Sequence, residues 1–147
     1  VVKFKQYEMM EERIIQRLHT ITSGVSEFKI EFDKFGSFPT HSIYINVATK
    51  VPIQSLVKQL KLMQQLLKHK DTKPHFIEEI GITIARKLLP WQYEKAWLEY
   101  SHSNFTGRFI ADHMLLLKRP VGGTYKVLRK FEFMNMPVNT KQGDLFG

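Results

Sequence analysis

The residues with the most chemical content lie in the run Gly81-Ile82-Thr83-Ile84-Ala85-Arg86-Lys87-Leu88. It reads as a short strand in which Gly81, Thr83 and Ala85 alternate onto one face. A hydroxyl on such a strand can donate to a phosphate oxygen. A histidine two residues earlier would set an imidazole beside that hydroxyl, but position 81 is glycine. The donor is in place and the proton carrier is not. Arg86 adds a cation near the strand end. Simple alternation turns it away from Thr83, so a bulge or the strand end would have to re-aim it.

The chain has six histidines. His41-Ser42-Ile43-Tyr44 places an imidazole two residues before Ile43, where a hydroxyl would be wanted. His41 is then either a substitute acid or base, or an ordinary strand-edge histidine. His75 lies six residues before Gly81, in a polar segment (69–79) that reads as a loop. It either reaches the site of Thr83 or stays exposed. His69, His102 and His113 show no metal-ligand spacing, and neither a metal nor a cofactor is expected. Tyr44 and Phe4 are candidates to stack on a base.

Composition narrows the field. With 147 residues, 43% hydrophobic and 12% aromatic, the chain can bury a real core as one domain or as two small lobes. The absence of cysteine rules out disulfides and thiol chemistry and suits a reducing compartment such as the cytoplasm. The net charge of +8, from 22 Lys+Arg against 14 Asp+Glu, favours polyanionic partners such as RNA or nucleotides. No apolar run is long enough to span a membrane, and no membrane partner is expected.

The elements that must position Thr83 follow from periodicity. Val1 to Lys5 reads as a strand, and Glu8 to Thr20 as a helix striped by Met10, Ile14, Leu18 and Ile21 and ended by Ser23-Gly24. Phe28, Ile30 and Phe32 alternate with charged residues as in a half-buried strand. A turn is expected over Gly36–Pro39 and a strand over His41–Val47. A helix starts at Pro52 and runs through Ile53, Leu56, Val57, Leu60, Met63 and Leu67. Lys58, Lys61, Lys68 and Lys70 read as its wet face.

Pro90 to Tyr100 is helical, with Trp91, Tyr93 and Trp97 read as a helix-to-sheet core. Phe105 to Arg119 gives one long strand or two short ones, Gly122-Gly123 a hairpin turn, and Tyr125 to Phe133 a return strand. Arg86-Lys87 and Lys118-Arg119 are each either solvated strand ends or cations lining an anionic cleft. The tail from Asn135 reads as loose. The order β-α-β-β-α-β-α-β-β mixes hairpins and helices, which makes the expected class α+β.

Lys5-Gln6-Tyr7-Glu8 is echoed by Trp91-Gln92-Tyr93-Glu94, each copy following a strand and preceding an aromatic-rich one. Such a duplication makes Val1-Val2-Lys3 correspond to Ile84-Ala85-Arg86, so Lys3 is a candidate contact alongside Arg86. The counterparts of Thr83 and Gly81 would then precede Val1, and the chain reads as a fragment that opens within a strand.

Ile82-Thr83-Ile84-Ala85-Arg86, the Pro90-Trp91-Gln92-Tyr93-Glu94-Lys95-Ala96 helix and Phe105-Thr106-Gly107-Arg108-Phe109 follow one another at a telling spacing. Leu115 to Arg119 and the hairpin Phe35 to Ile45 complete the set. In order and spacing these segments resemble the two-histidine (2H) phosphoesterases, the 2′-5′ RNA ligase and cyclic phosphodiesterase family. The resemblance covers nearly the whole chain, as one domain over residues 1–147 with two interleaved lobes. It implies two antiparallel sheets flanked by helices, with pseudo-twofold symmetry around a central cleft.

The implied chemistry needs no metal. Two imidazoles on opposite sides of a phosphorus act as general base and general acid, while hydroxyls and cations hold the non-bridging oxygens. The implied partners are RNA ends or cyclic nucleotide phosphates. On this resemblance Thr83 and position 81 are the catalytic pair, and Arg86, Lys3, Tyr44 and His75 are substrate contacts. Glycine at 81 departs from the pattern, so turnover by this chain is expected to be impaired. The alternative is a non-catalytic RNA- or nucleotide-binding protein on the same fold.

Overall fold

The computed structural model describes residues 1–136 and shows an α+β chain. Its strands are β1 (Val2–Lys3), β2 (Phe28–Phe38), β3 (Ser42–Val47), β4 (His75–Phe76), β5 (Gly81–Ala85), β6 (Thr106–Ala111), β7 (His113–Lys118) and β8 (Lys126–Glu132). Its helices are α1 (Glu11–Ser23), α2 (Val51–Leu60), α3 (Gln64–Leu67) and α4 (Pro90–Tyr100). Two compact units share the chain in alternation. The first comprises Val1–Phe28, Ser55–Phe76 and the chain from Ala111; the second comprises Lys29–Gln54 and Ile77–Ile110. Among the described residues no helix is long and apolar enough to cross a membrane.

In the first unit α1 follows a 3₁₀ turn over Glu8–Met10. Glu11 and Glu12 sit in its first turn, the favourable sign for the positive end of a helix dipole. Ile14 and Leu18 are buried as their spacing requires, joined by Ile15 and Thr22. Thr22 tolerates burial because its hydroxyl donates to the Leu18 carbonyl at 2.8 Å. The Gly24 N–H closes the helix onto the carbonyls of Ile21 and Thr22.

The continuous helix expected from Pro52 to Leu67 breaks into α2, a 3₁₀ turn at Lys61–Met63 and the single-turn α3. The break leaves the apolar stripe intact. Leu56, Leu60, Met63 and Leu67 enter one core with Ile14, Ile15, Leu18 and Phe131. Lys58, Lys61, Lys68 and Lys70 are all exposed, as the wet-face reading has it.

Segment 69–79 is not simply a loop. It contains β4, which pairs antiparallel with β1 in the register Val2↔Phe76 and Lys3↔His75. Val2 and Phe76 pack against the core, so the strand is held by one apolar position and is too short to show alternation.

The stretch Phe105–Arg119 is two strands, broken at Asp112 and belonging to different sheets. A hydrogen bond from His113 holds the Asp112 carboxyl below the usual carboxylate range. β7 and β8 form the expected antiparallel hairpin around Gly122, whose φ of +74° suits glycine. Asn135 and Met136 donate backbone hydrogen bonds to Val25 and Ser23, so the start of the tail is tied down; its remainder lies outside the described residues.

Lys118, a possible cleft cation by its place in the sequence, is held by Glu8 at 3.1 Å and Glu11 at 3.3 Å. Hydrogen bonds to Glu8, then to Glu11, raise its pKa above the ordinary 10.5. A raised lysine pKa contributes stability in full below the unfolded value and loses it as pH rises through the folded one. The melting-temperature gap between the parent chain and Lys118→Met should therefore be small, constant from pH 7 to about 9, and close above about 10.5. A gap that persists undiminished above that range would assign the effect to packing of the lysine stem. Arg119 lies over the Tyr125 ring at 4.9 Å.

The second unit is built on a four-stranded sheet in the order β5-β3-β2-β6. Phe28, Ile30 and Phe32 alternate as expected, but β2 runs on through Gly36 to Phe38. The turn expected at Gly36–Pro39 falls instead at residues 39–41, where the His41 N–H donates to the Phe38 carbonyl. Helix α4 starts with Pro90, and the Gln92 side chain accepts from the Leu89 N–H at 2.9 Å. Tyr93 is buried with its hydroxyl 2.8 Å from Ser37 Oγ. Phe35 packs on Tyr100 and Phe105 at ring separations of 4.9 and 5.6 Å. Trp91 is not core: it is 63% exposed, because Tyr93 takes the sheet-facing place two residues along.

Candidate functional site

Cross-strand partners in a sheet point to the same side. β2 and β3 pair as Phe35↔Ile45, Gly36↔Tyr44, Ser37↔Ile43 and Phe38↔Ser42. Phe35 and Ser37 touch α4 residues, so the side shared by Gly36, Phe38, Tyr44 and Asn46 faces away from that helix. β5 adds to the other edge of β3 as Asn46↔Gly81, Ile45↔Ile82 and Tyr44↔Thr83. Gly81 and Thr83 therefore lie on the face away from α4, next to Tyr44 and Asn46.

The register then slips. Ile43 pairs with Ala85, leaving Ile84 as the extra residue of a bulge. Ala85 joins the buried Ile43 on the helix side, so it does not share the face of Thr83, contrary to simple alternation. The slip also returns Arg86, by alternation, to the side of Thr83. Arg86 is exposed and in no ion pair among the described residues. Thr83 is exposed too, and its hydroxyl makes no hydrogen bond among the described residues.

Tyr44 fills the space that a side chain at 81 would need. A Cβ built on Gly81 would lie 2.9 Å from Tyr44 Cδ2 and 3.2 Å from the Ile45 carbonyl oxygen. The other end of the same ring covers Gly36, where a Cβ would come within 2.5 Å of Tyr44 Cζ. One tyrosine of β3 thus lies across two glycines, one on each flanking strand, with Phe38 packed against it at 5.0 Å. The sequence pattern marked Gly36 only as the start of a turn, whereas it lies within β2 under the Tyr44 ring. A glycine inside an apolar alternation signals close approach of another group as readily as a turn.

His75 and Lys3 are brought together in the first unit as direct cross-strand partners, both exposed. Their neighbours Val2 and Phe76 pack inward, so the pair points away from that unit's core. His41 is exposed beside β3, and its carbonyl accepts from the Leu88 N–H at 3.0 Å.

The glutamines of the sequence echo do different work. Gln6 reaches across to the carbonyls of Leu66 and Lys68, each at 2.9 Å, while Gln92 caps its own helix. Tyr7 is exposed against His69 where Tyr93 is buried.

A family model for the 2′-5′ RNA ligase superfamily matches residues 1–123. The chain belongs to that superfamily. The matched span includes Lys3, Tyr44, His75, Gly81, Thr83 and Arg86 and stops short of β8. A comparison with curated proteins gives no match. In this member of the 2′-5′ RNA ligase superfamily, the strand that begins at position 81 carries a threonine hydroxyl with no hydrogen bond among the described residues, and the Tyr44 ring lies over Gly81.

Proposed function

We propose that this 2′-5′ RNA ligase superfamily member engages RNA ends or cyclic nucleotide phosphates on the Thr83 face of the second unit, with turnover impaired at position 81. The supporting observation is the Tyr44 ring seated over Gly81, beside an unengaged Thr83 hydroxyl. Thr83 Oγ1 donates to a non-bridging phosphate oxygen, and Arg86 supplies positive charge on the same side. Tyr44 offers a flat surface to a base. Lys3 and His75 are proposed as a second pair of substrate contacts.

The reaction class is hydrolysis of a 2′,3′-cyclic phosphate or 2′-5′ ligation, by metal-independent acid and base catalysis. A positioned histidine contributes about 10²–10⁴-fold to such a step, and position 81 contributes none of it. Binding without turnover is the second reading, favoured by the net charge of +8. A reducing cytoplasmic setting fits both.

An NMR titration with a 2′,3′-cyclic nucleotide, followed for a day, tests the proposal. The Thr83 and Arg86 amides should shift in a saturable way in the parent chain, and Thr83→Val should lose most of the shift while melting at a similar temperature. Slow release of a monophosphate identifies impaired turnover; shifts without product identify pure binding. Absence of any shift at β5 overturns the proposal.

A further inference from the structure

We propose a second RNA-binding site, a groove on the first unit that takes a single-stranded segment and lies outside the Thr83 face. The groove has a volume of about 600 Å³ and runs between α1 and the turn that links α2 to α3. Arg13, Gln16 and Arg17 of α1 line one side; Leu62, Met63 and Gln65 line the other. Among the described residues its lining includes no carboxylate. Neither arginine is in an ion pair among the described residues.

Arg13 and Arg17 are spaced i, i+4, so they project from one side of α1 about 6 Å apart along its axis. Like charges at that spacing repel along a helix, and no acidic residue described in the groove offsets them. A local conflict of this kind marks a place where the absent partner carries the compensating charge. The spacing is that of successive phosphates along a single strand. Planar guanidinium forks bind such oxygens bidentately.

The opposite wall explains why the occupant is RNA rather than an acidic peptide. Leu62 is 74% exposed beside the cations, an apolar ledge against which a splayed base can lie. Gln16 and Gln65 carry both donors and acceptors; a base edge can use both, whereas a carboxylate uses the donors alone. Charge, ledge and amides converge on one groove.

The test measures binding of a ten-nucleotide fluorescent RNA to the full chain by anisotropy, across a salt series. Arg13→Ala/Arg17→Ala should weaken binding about tenfold or more. It should also flatten the slope of log K against log salt by about 1.4, since each single-strand phosphate contact contributes about 0.7. Lys58→Ala/Lys126→Ala removes the same charge from exposed positions outside the groove and should change both much less. Leu62→Ser should lower affinity and leave the slope unchanged. Equal losses in the two double variants would reduce the effect to net charge and overturn the site. So would an unchanged slope in Arg13→Ala/Arg17→Ala, or equal binding of a polyglutamate peptide of matched charge. Melting temperatures of all variants establish that each is folded. Because the Thr83 face is untouched, loss of cyclic-nucleotide shifts in Thr83→Val and loss of groove binding here fail independently.

Discussion

Gly81→His is expected to fold less stably than the parent chain, by about 1–3 kcal/mol, and to gain no turnover. The new Cβ would press on Tyr44 Cδ2 at 2.9 Å and on the Ile45 carbonyl at 3.2 Å. The backbone carbonyl cannot yield easily, so the tyrosine ring has to swing off the glycine. Swinging it also uncovers Gly36, which the same ring protects. Seating a histidine at 81 therefore needs a second change.

Tyr44→Ala together with Gly81→His should recover stability relative to the sum of the single variants, with a coupling of about 0.5–3 kcal/mol in a double-mutant cycle. On the proposed function, an imidazole at 81 then stands beside Thr83. Any gain in cyclic-phosphate hydrolysis, up to about 10²–10⁴-fold, should appear in the double variant and not in Gly81→His. Urea melts of the four chains and a product assay supply both readouts. Additive stabilities would show that the ring does not compete for the position. A single variant as active as the double would show that Tyr44 is no obstacle to the chemistry.

Leu60→Ala should cost about 2–5 kcal/mol, far more than truncation of the exposed leucine two residues on. Leu60 is 0% exposed, at the last position of α2, within the cluster that also holds Ile14, Leu18 and Phe131. Those neighbours come from separated segments of the chain, so the cavity cannot close by movement of one local turn. Leu62→Ala, at a position 74% exposed, should stay within about 0.5 kcal/mol. Urea unfolding with the slope held in common decides it. A loss below about 1 kcal/mol for Leu60→Ala would place the core elsewhere.

The fold class and most elements were legible because their physics is local. The stripe of α1, the alternation Phe28-Ile30-Phe32 and the Pro90 start of α4 each follow from one window of sequence. What stayed hidden depends on the partner strand. The bulge at Ile84 exists only in the register with β3, so counting along β5 alone misassigned the face of Ala85 and could only name a bulge as the condition for Arg86 to face Thr83's side. β4 is two residues long and visible only through β1. The absence of an imidazole at 81 was plain from the sequence. That Tyr44 holds the vacant place was not, since Tyr44 and Gly81 are 37 positions apart and meet only across the ladder.

The alternation of the two units along the chain has a consequence for how the molecule is made. Residues 29–54 and 77–110 are all synthesised before the β7–β8 hairpin, so the second unit has its full complement while the first still lacks two strands. Phe131, buried at 3% among α1 residues more than a hundred positions earlier, is among the last core groups to arrive. Until then Ile14, Leu18 and Leu60 have an apolar face without its lid, and the wait favours slow, chaperone-dependent completion. Neither unit can be excised with a single cut. A released chain truncated after residue 111 should therefore resist protease within 29–54 and 77–110 and be cleaved within 11–23 and 55–76.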